Sequence, residues 1–245
     1  MKYLTDTIGI QQENIHLISN GIDHNELGDS INLANSQSPP FKKHATNTDI
    51  IAVGRIVPIK GHNILIKALD ASELESTTLR IAGDIGPSKQ DKEYYSQIQE
   101  LATQSRHNIL LVGSLEKKEV IRYLVHSDLY VQSSLSEGWS LALSEAMACK
   151  LFTIFTDCSG IPSTLATHET TLKCTPEPGH QLKLTDSINY YCQLPSQQKE
   201  EYAELLRLFS IDQLNINNSV ERFCDVVNNI TVIIRPLKSS DSTIE

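Results

Sequence analysis

The chain has 245 residues, with 21 lysines and arginines against 30 aspartates and glutamates, a formal net charge of −9. Hydrophobic residues make up 40% and charged residues 21%, a balance that builds an ordinary globular core. Such acidity argues against nucleic acid or an anionic membrane surface as the main partner, because both demand clustered positive charge.

Residues 1–48 contain one short strand candidate, Ile15-His16-Leu17-Ile18, and then a polar stretch from Ser19 to Thr48. Its Pro39-Pro40 pair and its many Asn and Ser residues read as a linker. No apolar run of signal-peptide length opens the chain, and nothing approaches the roughly 20 apolar residues of a membrane span. Across residues 49–178, short apolar runs alternate with helical patterns. The runs are Ile50-Ile51-Ala52-Val53, Leu79-Arg80-Ile81-Ala82, Ile109-Leu110-Leu111-Val112, Leu129-Tyr130-Val131 and Phe152-Thr153-Ile154-Phe155, each suited to a strand buried on both faces. Between them, Ile64, Leu65, Ala68 and Leu69 form one helical stripe, and Val120, Ile121, Leu124 and Val125 another. Tyr94 to Arg106 reads as a longer amphipathic helix. This alternation predicts an α/β fold of βαβ units on a parallel sheet. Residues 179–234 turn helical through Ile188–Cys192, Glu200–Phe209 and Val220–Val227, and residues 235–245 form a polar tail expected to be disordered. The five cysteines, Cys149, Cys158, Cys174, Cys192 and Cys224, are not spaced as a metal or redox pair, which fits a reduced, cytoplasmic protein. The sequon Asn229-Ile230-Thr231 carries little weight without a secretion signal.

In an open parallel sheet the ligand site lies beyond the carboxyl ends of the strands, so the residues following each run are the candidates. They are Gly54-Arg55, with Lys60-Gly61 opening the next helix, then Gly83-Asp84, then Gly113-Ser114-Leu115. The fourth run leads through Ser133 to Ser140 into a helix carrying Glu145, and the fifth into Asp157 and the loop Ser159-Gly160-Ile161-Pro162. Arg55 and Lys60 are the cations best placed for an anion: a guanidinium grips phosphate oxygens in pairs and a lysine acts as a mobile point charge. Together they suit a diphosphate, although each taken singly also reads as an exposed charge. A lysine at a helix start opposes the macrodipole, a conflict that an anionic ligand removes.

Glu137 and Glu145 flank a helix start at Gly138, Trp139, Ser140 and Leu141, whose free amides suit phosphate or sugar oxygens. A carboxylate accepting from adjacent hydroxyls holds a sugar diol. Paired carboxylates also fit hydrolytic acid–base work when both flank one bond, and Glu145 alone reads equally as an exposed helix residue. Trp139, the only tryptophan, suits a core or lid role as well as ligand stacking. His62 reads as a surface histidine on a first helical turn, and Cys149 and Cys158 as space-filling. The sequence has no G-x-G-x-x-G, P-loop, D-x-D or G-x-S-x-G, and its eight histidines lack metal-ligand spacing.

Val53-Gly54-Arg55-Ile56-Val57-Pro58-Ile59-Lys60-Gly61 resembles the first strand and loop of the nucleotide-binding domain in retaining GT-B glycosyltransferases of family four. Ser19-Asn20-Gly21-Ile22-Asp23 resembles the element at the hinge before that domain. Ser127-Asp128, Ser133-Ser134 and the segment from Glu137 to Ala148 are similar to the family's Glu-x7-Glu region. The resemblance spans about residues 15–165. It implies a Rossmann-like sheet forming the C-terminal half of a GT-B architecture, and a hexose moved from a nucleotide-diphosphate sugar with retention. Arg55 and Lys60 would hold the diphosphate and stabilise the leaving nucleotide, so no metal and no cofactor is expected. Glu137, with Gly138, Trp139, Ser140 and Leu141, would hold the sugar and distal phosphate, and Glu145 the ribose. Gly54 and Gly83 would admit the nucleotide, and Gly113, Ser114 and Leu115 would line the base pocket.

The expected partners are a nucleotide sugar, a glycan or lipid-linked acceptor, and a separate chain supplying the absent acceptor domain; nucleic acid is not expected. Many relatives build bacterial surface glycans, which implies polysaccharide biosynthesis at the inner face of the membrane, reached through that partner. Residues 1–14 resemble the tail of the absent half, and the helices after Gly179 are expected to expose an apolar face. The rival reading is a non-catalytic nucleotide-sugar-binding module or an inactive remnant; a nucleotide-sugar epimerase fits the Glu-x7-Glu segment less well. Three positions depart from the family: Cys149-Lys150 stands where a glycine is usual, Ser163 replaces a glutamate, and His168 to Cys174 lacks an Asn-Gly turn.

Overall fold

In the computed structural model, residues 6–9, 11, 15, 16, 18, 20–43, 47–158 and 163–233 are described. Five of the strands among them form one sheet: β1 (Thr48–Val53), β2 (Thr77–Ala82), β3 (Asn108–Gly113), β4 (Leu129–Gln132) and β5 (Thr153–Phe155). Their order is β3-β2-β1-β4-β5 and every pairing is parallel. The five apolar runs coincide with these strands, and β2, β4 and β5 are buried at every position as expected of strands covered on both faces; the edge strand β3 is not, leaving Leu110 exposed because no strand pairs beyond it. After β1 the chain builds outward to β2 and β3, then returns to place β4 on the other side of β1. That reversal opens a crevice between the carboxyl ends of β1 and β4.

The helices in chain order are α1 (His24–Ser36), α2 (His62–Asp70), α3 (Lys89–Gln104), α4 (Lys117–His126), α5 (Leu141–Ala148), α6 (Ser163–Ala166), α7 (Glu169–Lys173), α8 (Gln181–Gln193), α9 (Ser196–Gln213) and α10 (Ile216–Ile233). Helix α2 buries Leu65, Ile66, Ala68 and Leu69, and α4 buries Ile121 and Leu124, the centres of the two predicted stripes. A capping box of Ser88 and Asp91 fixes the start of α3, which buries Tyr94 and Ile98.

The stretch expected to be a linker instead contains the helix α1. Asp23 caps it, its carboxylate accepting from the amides of Asn25 and Glu26, and Leu27 and Ala34 are buried where α1 packs on α4. Just before it, Ile22 pairs in parallel with Asn215: the Ile22 amide donates to the Leu214 carbonyl (2.8 Å) and Ile216 donates back (3.0 Å). Neither Ile15, His16 nor Ile18 joins the sheet, and Leu17 lies outside the described residues, as do the hinge residue Ser19, the loop 159–162, the tail 235–245 and most of residues 1–14. The side chains of Asn229 and Ile230 in the sequon also lie outside them.

Lys150 takes φ 57°, the left-handed conformation that explains why glycine is usual there. Its ammonium is held by Glu200 and Glu204 (3.5 Å to the latter). Ser163 opens α6, and α7 occupies the segment that lacks the Asn-Gly turn. At the far end α10 exposes Ile216, Val220 and Phe223 along one helical face, the apolar surface anticipated from the sequence.

At the amino edge of the sheet the charges satisfy one another. The buried Arg80 guanidinium meets Asp49 at 2.6 Å and lies 3.5 Å from the centre of the Phe41 ring. The Asp49 amide donates to Asp128 (2.8 Å), which Lys43 meets from outside at 3.2 Å.

Candidate functional site

The site forms where the loop after β1 meets the segment after β4. Two glycines permit the approach. A Cβ on Gly83 would stand 2.1 Å from the Gly54 carbonyl oxygen, so the ends of β1 and β2 close together only without one. Gly61 adopts φ 64°, and a Cβ there would stand 2.1 Å from the Ser133 carbonyl oxygen. The loop is then stitched to the β4 side. The Ser133 hydroxyl reaches the carbonyls of Lys60 (3.1 Å) and Gly61 (3.0 Å), and the Leu135 amide donates to the Ile59 carbonyl at 2.7 Å.

This stitching brings Lys60 and Glu137 together across the crevice. Lys60 Nζ lies 2.6 Å from Glu137 Oε1, with both side chains mostly shielded from solvent. Arg55, on the same loop, is exposed, and its guanidinium forms no hydrogen bond or ion pair with the described residues. His62 corrects the expectation of a surface histidine. It is 3% exposed, its Nε2 is 3.2 Å from the Arg55 carbonyl oxygen, and burial pushes its pKa down to about 4. The loop folding back over the first turn of α2 removes it from water.

Ser140 caps α5 by accepting from the Leu143 amide at 3.4 Å, while Gly138 and Leu141 lie exposed beside it. Trp139 turns away from the opening: its indole N–H donates to Ser144 Oγ at 2.8 Å and its ring packs 6.2 Å from Phe209. Glu145 is half-buried rather than exposed, and burial pushes its carboxyl above the ordinary range while Lys117 opposes the shift. It lines a cavity of about 120 Å³ with Gly21, Ile22, Asp23, Leu27, Lys117 and Leu141. At the end of β3, Gly113 and Ser114 are exposed and Leu115 is half-buried; the Gly83 amide donates to the Gly113 carbonyl at 2.8 Å. Burial pushes the Cys149 and Cys158 thiols up, and Cys158 Sγ donates to the Ser134 carbonyl at 2.8 Å, so both are held as unreactive thiols.

The fold therefore gathers Gly54, Arg55, Lys60 and Glu137 at one crevice, with Gly138, Ser140 and Leu141 on its rim. Glu145 sits in a small adjoining cavity and the indole of Trp139 is committed elsewhere. Two contributors were given no role from the sequence, although Ser133 stood in the candidate segment after the fourth run. Ser133 locks the lysine-bearing loop, and Lys117 faces Glu145 from the first position of α4; the polar residue directly after each strand, and the cation opening the next helix, were the available signals.

The chain matches the family described as Glycosyl transferases group 1 over residues 35–205. It is 26% identical over 178 residues to the phosphatidylinositol N-acetylglucosaminyltransferase GPI3 subunit of Saccharomyces cerevisiae, covering 72% of this chain and 35% of that protein. It is 32% identical over 127 residues to a human phosphatidylinositol N-acetylglucosaminyltransferase subunit, covering 51% of this chain and 25% of the other. The chain thus spans about a third or less of these curated relatives. The crystal structure of Anabaena HepE in complex with UDP-glucose superposes with a TM-score of 0.71 at 18% identity, over 90% of this chain and 59% of that one. The family match extends from α1 through the sheet to α9 and contains every residue of the crevice. The chain belongs to the glycosyl transferases group 1, and its Rossmann-like sheet is the C-terminal half of a GT-B architecture.

Proposed function

We propose that this chain is the donor-binding half of a retaining, metal-independent glycosyltransferase that moves a hexose from a nucleotide-diphosphate sugar to a glycan or lipid-linked acceptor. The observation that carries this reading is the Lys60–Glu137 pair, which spans the crevice at 2.6 Å beside an Arg55 guanidinium that has no partner among the described residues. A diphosphate entering there meets a bidentate cation in Arg55 and competes with Glu137 for Lys60. The carboxylate so released accepts from hydroxyls of the donor sugar. Fixed cations then stabilise the nucleotide as its negative charge grows during departure, the task a divalent metal performs elsewhere. Glu145 accepts from the ribose hydroxyls, and Lys117 beside it favours the ionised carboxylate that this requires. Gly54 and Gly83 leave room for the nucleotide, with Gly113, Ser114 and Leu115 toward the base.

The acceptor side is supplied by another chain or domain. Support comes from the yeast relative being named a subunit of a transferase acting on phosphatidylinositol, and from the exposed apolar face of α10. Among the described residues no helix is long and apolar enough to cross a membrane. The rival reading is a nucleotide-sugar-binding module without turnover.

The test is a titration of the purified chain with UDP, GDP, ADP and their sugars, followed by Trp139 fluorescence and by calorimetry. Saturable binding of one nucleotide is expected, weakened about 10- to 100-fold by Arg55→Ala, as loss of a charge-assisted contact predicts. No binding to a folded chain at millimolar ligand removes the donor-site reading. Turnover on adding the acceptor half separates the transferase from the binding module.

A further inference from the structure

Among the described residues the Arg55 guanidinium forms no hydrogen bond or ion pair, so what the fold holds of Arg55 is its main chain, the base from which the guanidinium reaches. Asp91 feels its charge only at longer range. From outside the loop, the Arg55 carbonyl is held by His62, with Nε2 at 3.2 Å; from within it, the Val57 amide donates to the same oxygen at 3.0 Å. A carbonyl only accepts, so Nε2 carries the hydrogen and Nδ1 is left bare. Nδ1 is buried and has no hydrogen-bond partner, so a second proton there would gain none. The ring stays neutral at physiological pH: burial lowers its pKa to about 4 against the pull of the Arg55 and Gly54 carbonyls, and the Lys60 charge lowers it further. A lysine or arginine in this place would bury another cation beside Lys60. Neutral imidazole supplies a rigid donor without charge.

We infer that His62 is a positioning residue for the anion site: by donating Nε2–H to the Arg55 carbonyl it fixes the main chain of Arg55 and aims the guanidinium over the diphosphate. This rests on the donor-site reading given above. Two variants separate it from simple core filling. His62→Phe keeps a planar aromatic ring, somewhat larger, but loses the donor; His62→Gln restores a donor of similar reach. Both are titrated with UDP, and with inorganic pyrophosphate as a probe that needs no base, at a temperature where each is folded. His62→Phe is expected to weaken binding about fivefold to tenfold, the range for one lost hydrogen bond, and His62→Gln to recover it to within about twofold. In the Arg55→Ala background His62→Phe is expected to have no further effect, because the two act as one unit. Equal losses with and without Arg55, or no loss from His62→Phe, overturn the assignment. Wild-type protein that binds neither probe defeats the donor site itself. Amide exchange at Arg55, Ile56 and Val57 then decides the positioning role alone: faster in His62→Phe and restored in His62→Gln supports it, and unchanged exchange in His62→Phe refutes it.

Discussion

The two edges of one sheet treat charge in opposite ways. At the amino edge Arg80 is buried against Asp49 at 2.6 Å beneath the Phe41 ring, and Asp49 and Lys43 both meet Asp128. At the carboxyl edge Arg55 is exposed with no partner among the described residues, and Lys60 is paired with a carboxylate that a phosphate can replace. The same residue types do different work because their surroundings differ. Cations completed by the chain hold strands together; a cation the chain leaves incomplete is available to a ligand.

Substitution at each edge sharpens this contrast. Arg80→Ala has the largest expected effect, about 3–5 kcal/mol of lost stability in denaturant unfolding, because it strands Asp49 as a buried, uncompensated charge. An equal midpoint for wild type and variant breaks the comparison at that edge. Arg55→Ala is its mirror: the affinity loss given above comes with a stability change within about 0.5 kcal/mol, as for exposed positions generally.

Glu145 follows. Burial raises its pKa, so it takes up its proton at a higher pH than an ordinary carboxylate. Since the ionised form accepts from hydroxyls, nucleotide affinity is expected to fall on acidification before ordinary carboxylates titrate. In Glu145→Gln that part of the pH profile flattens and affinity at pH 7 drops about fivefold, the scale of one weakened hydrogen bond; an unchanged profile excludes Glu145 from the ribose. Smallest is Lys43→Ala, whose exposed pair with Asp128 contributes about 0–1 kcal/mol and is expected to fade in high salt.

The sheet was legible in the sequence because its strands are written as short apolar runs, although the run of edge strand β3 is as apolar as the others and did not reveal that one face is left open. The crevice was legible because its residues follow those runs directly, so the parallel topology alone collects Arg55, Lys60 and Glu137. Helix α1 was not: Leu27, Ile31 and Ala34 are a thin stripe among Asn, Ser and Asp, and docking on α4 completes what local pattern leaves weak. Arg80 sits inside an apolar run, and its partner Asp49 comes from the neighbouring strand. His62 occupies a first helical position, normally wet, and is covered only when the loop from Gly54 to Gly61 folds over it.

The pairing of Ile22 with Asn215 bears on how the chain is made. Its partners are separated by roughly 190 residues, so at ribosomal rates of about 5–20 residues per second the segment around Ile22 is synthesised some 10–40 seconds before its counterpart. Through that interval the segment leading into α1 must wait without its pairing partner, and a stalled or shortened product leaves it unpaired. That early segment is then where chaperones and proteases would first distinguish an unfinished chain from a finished one.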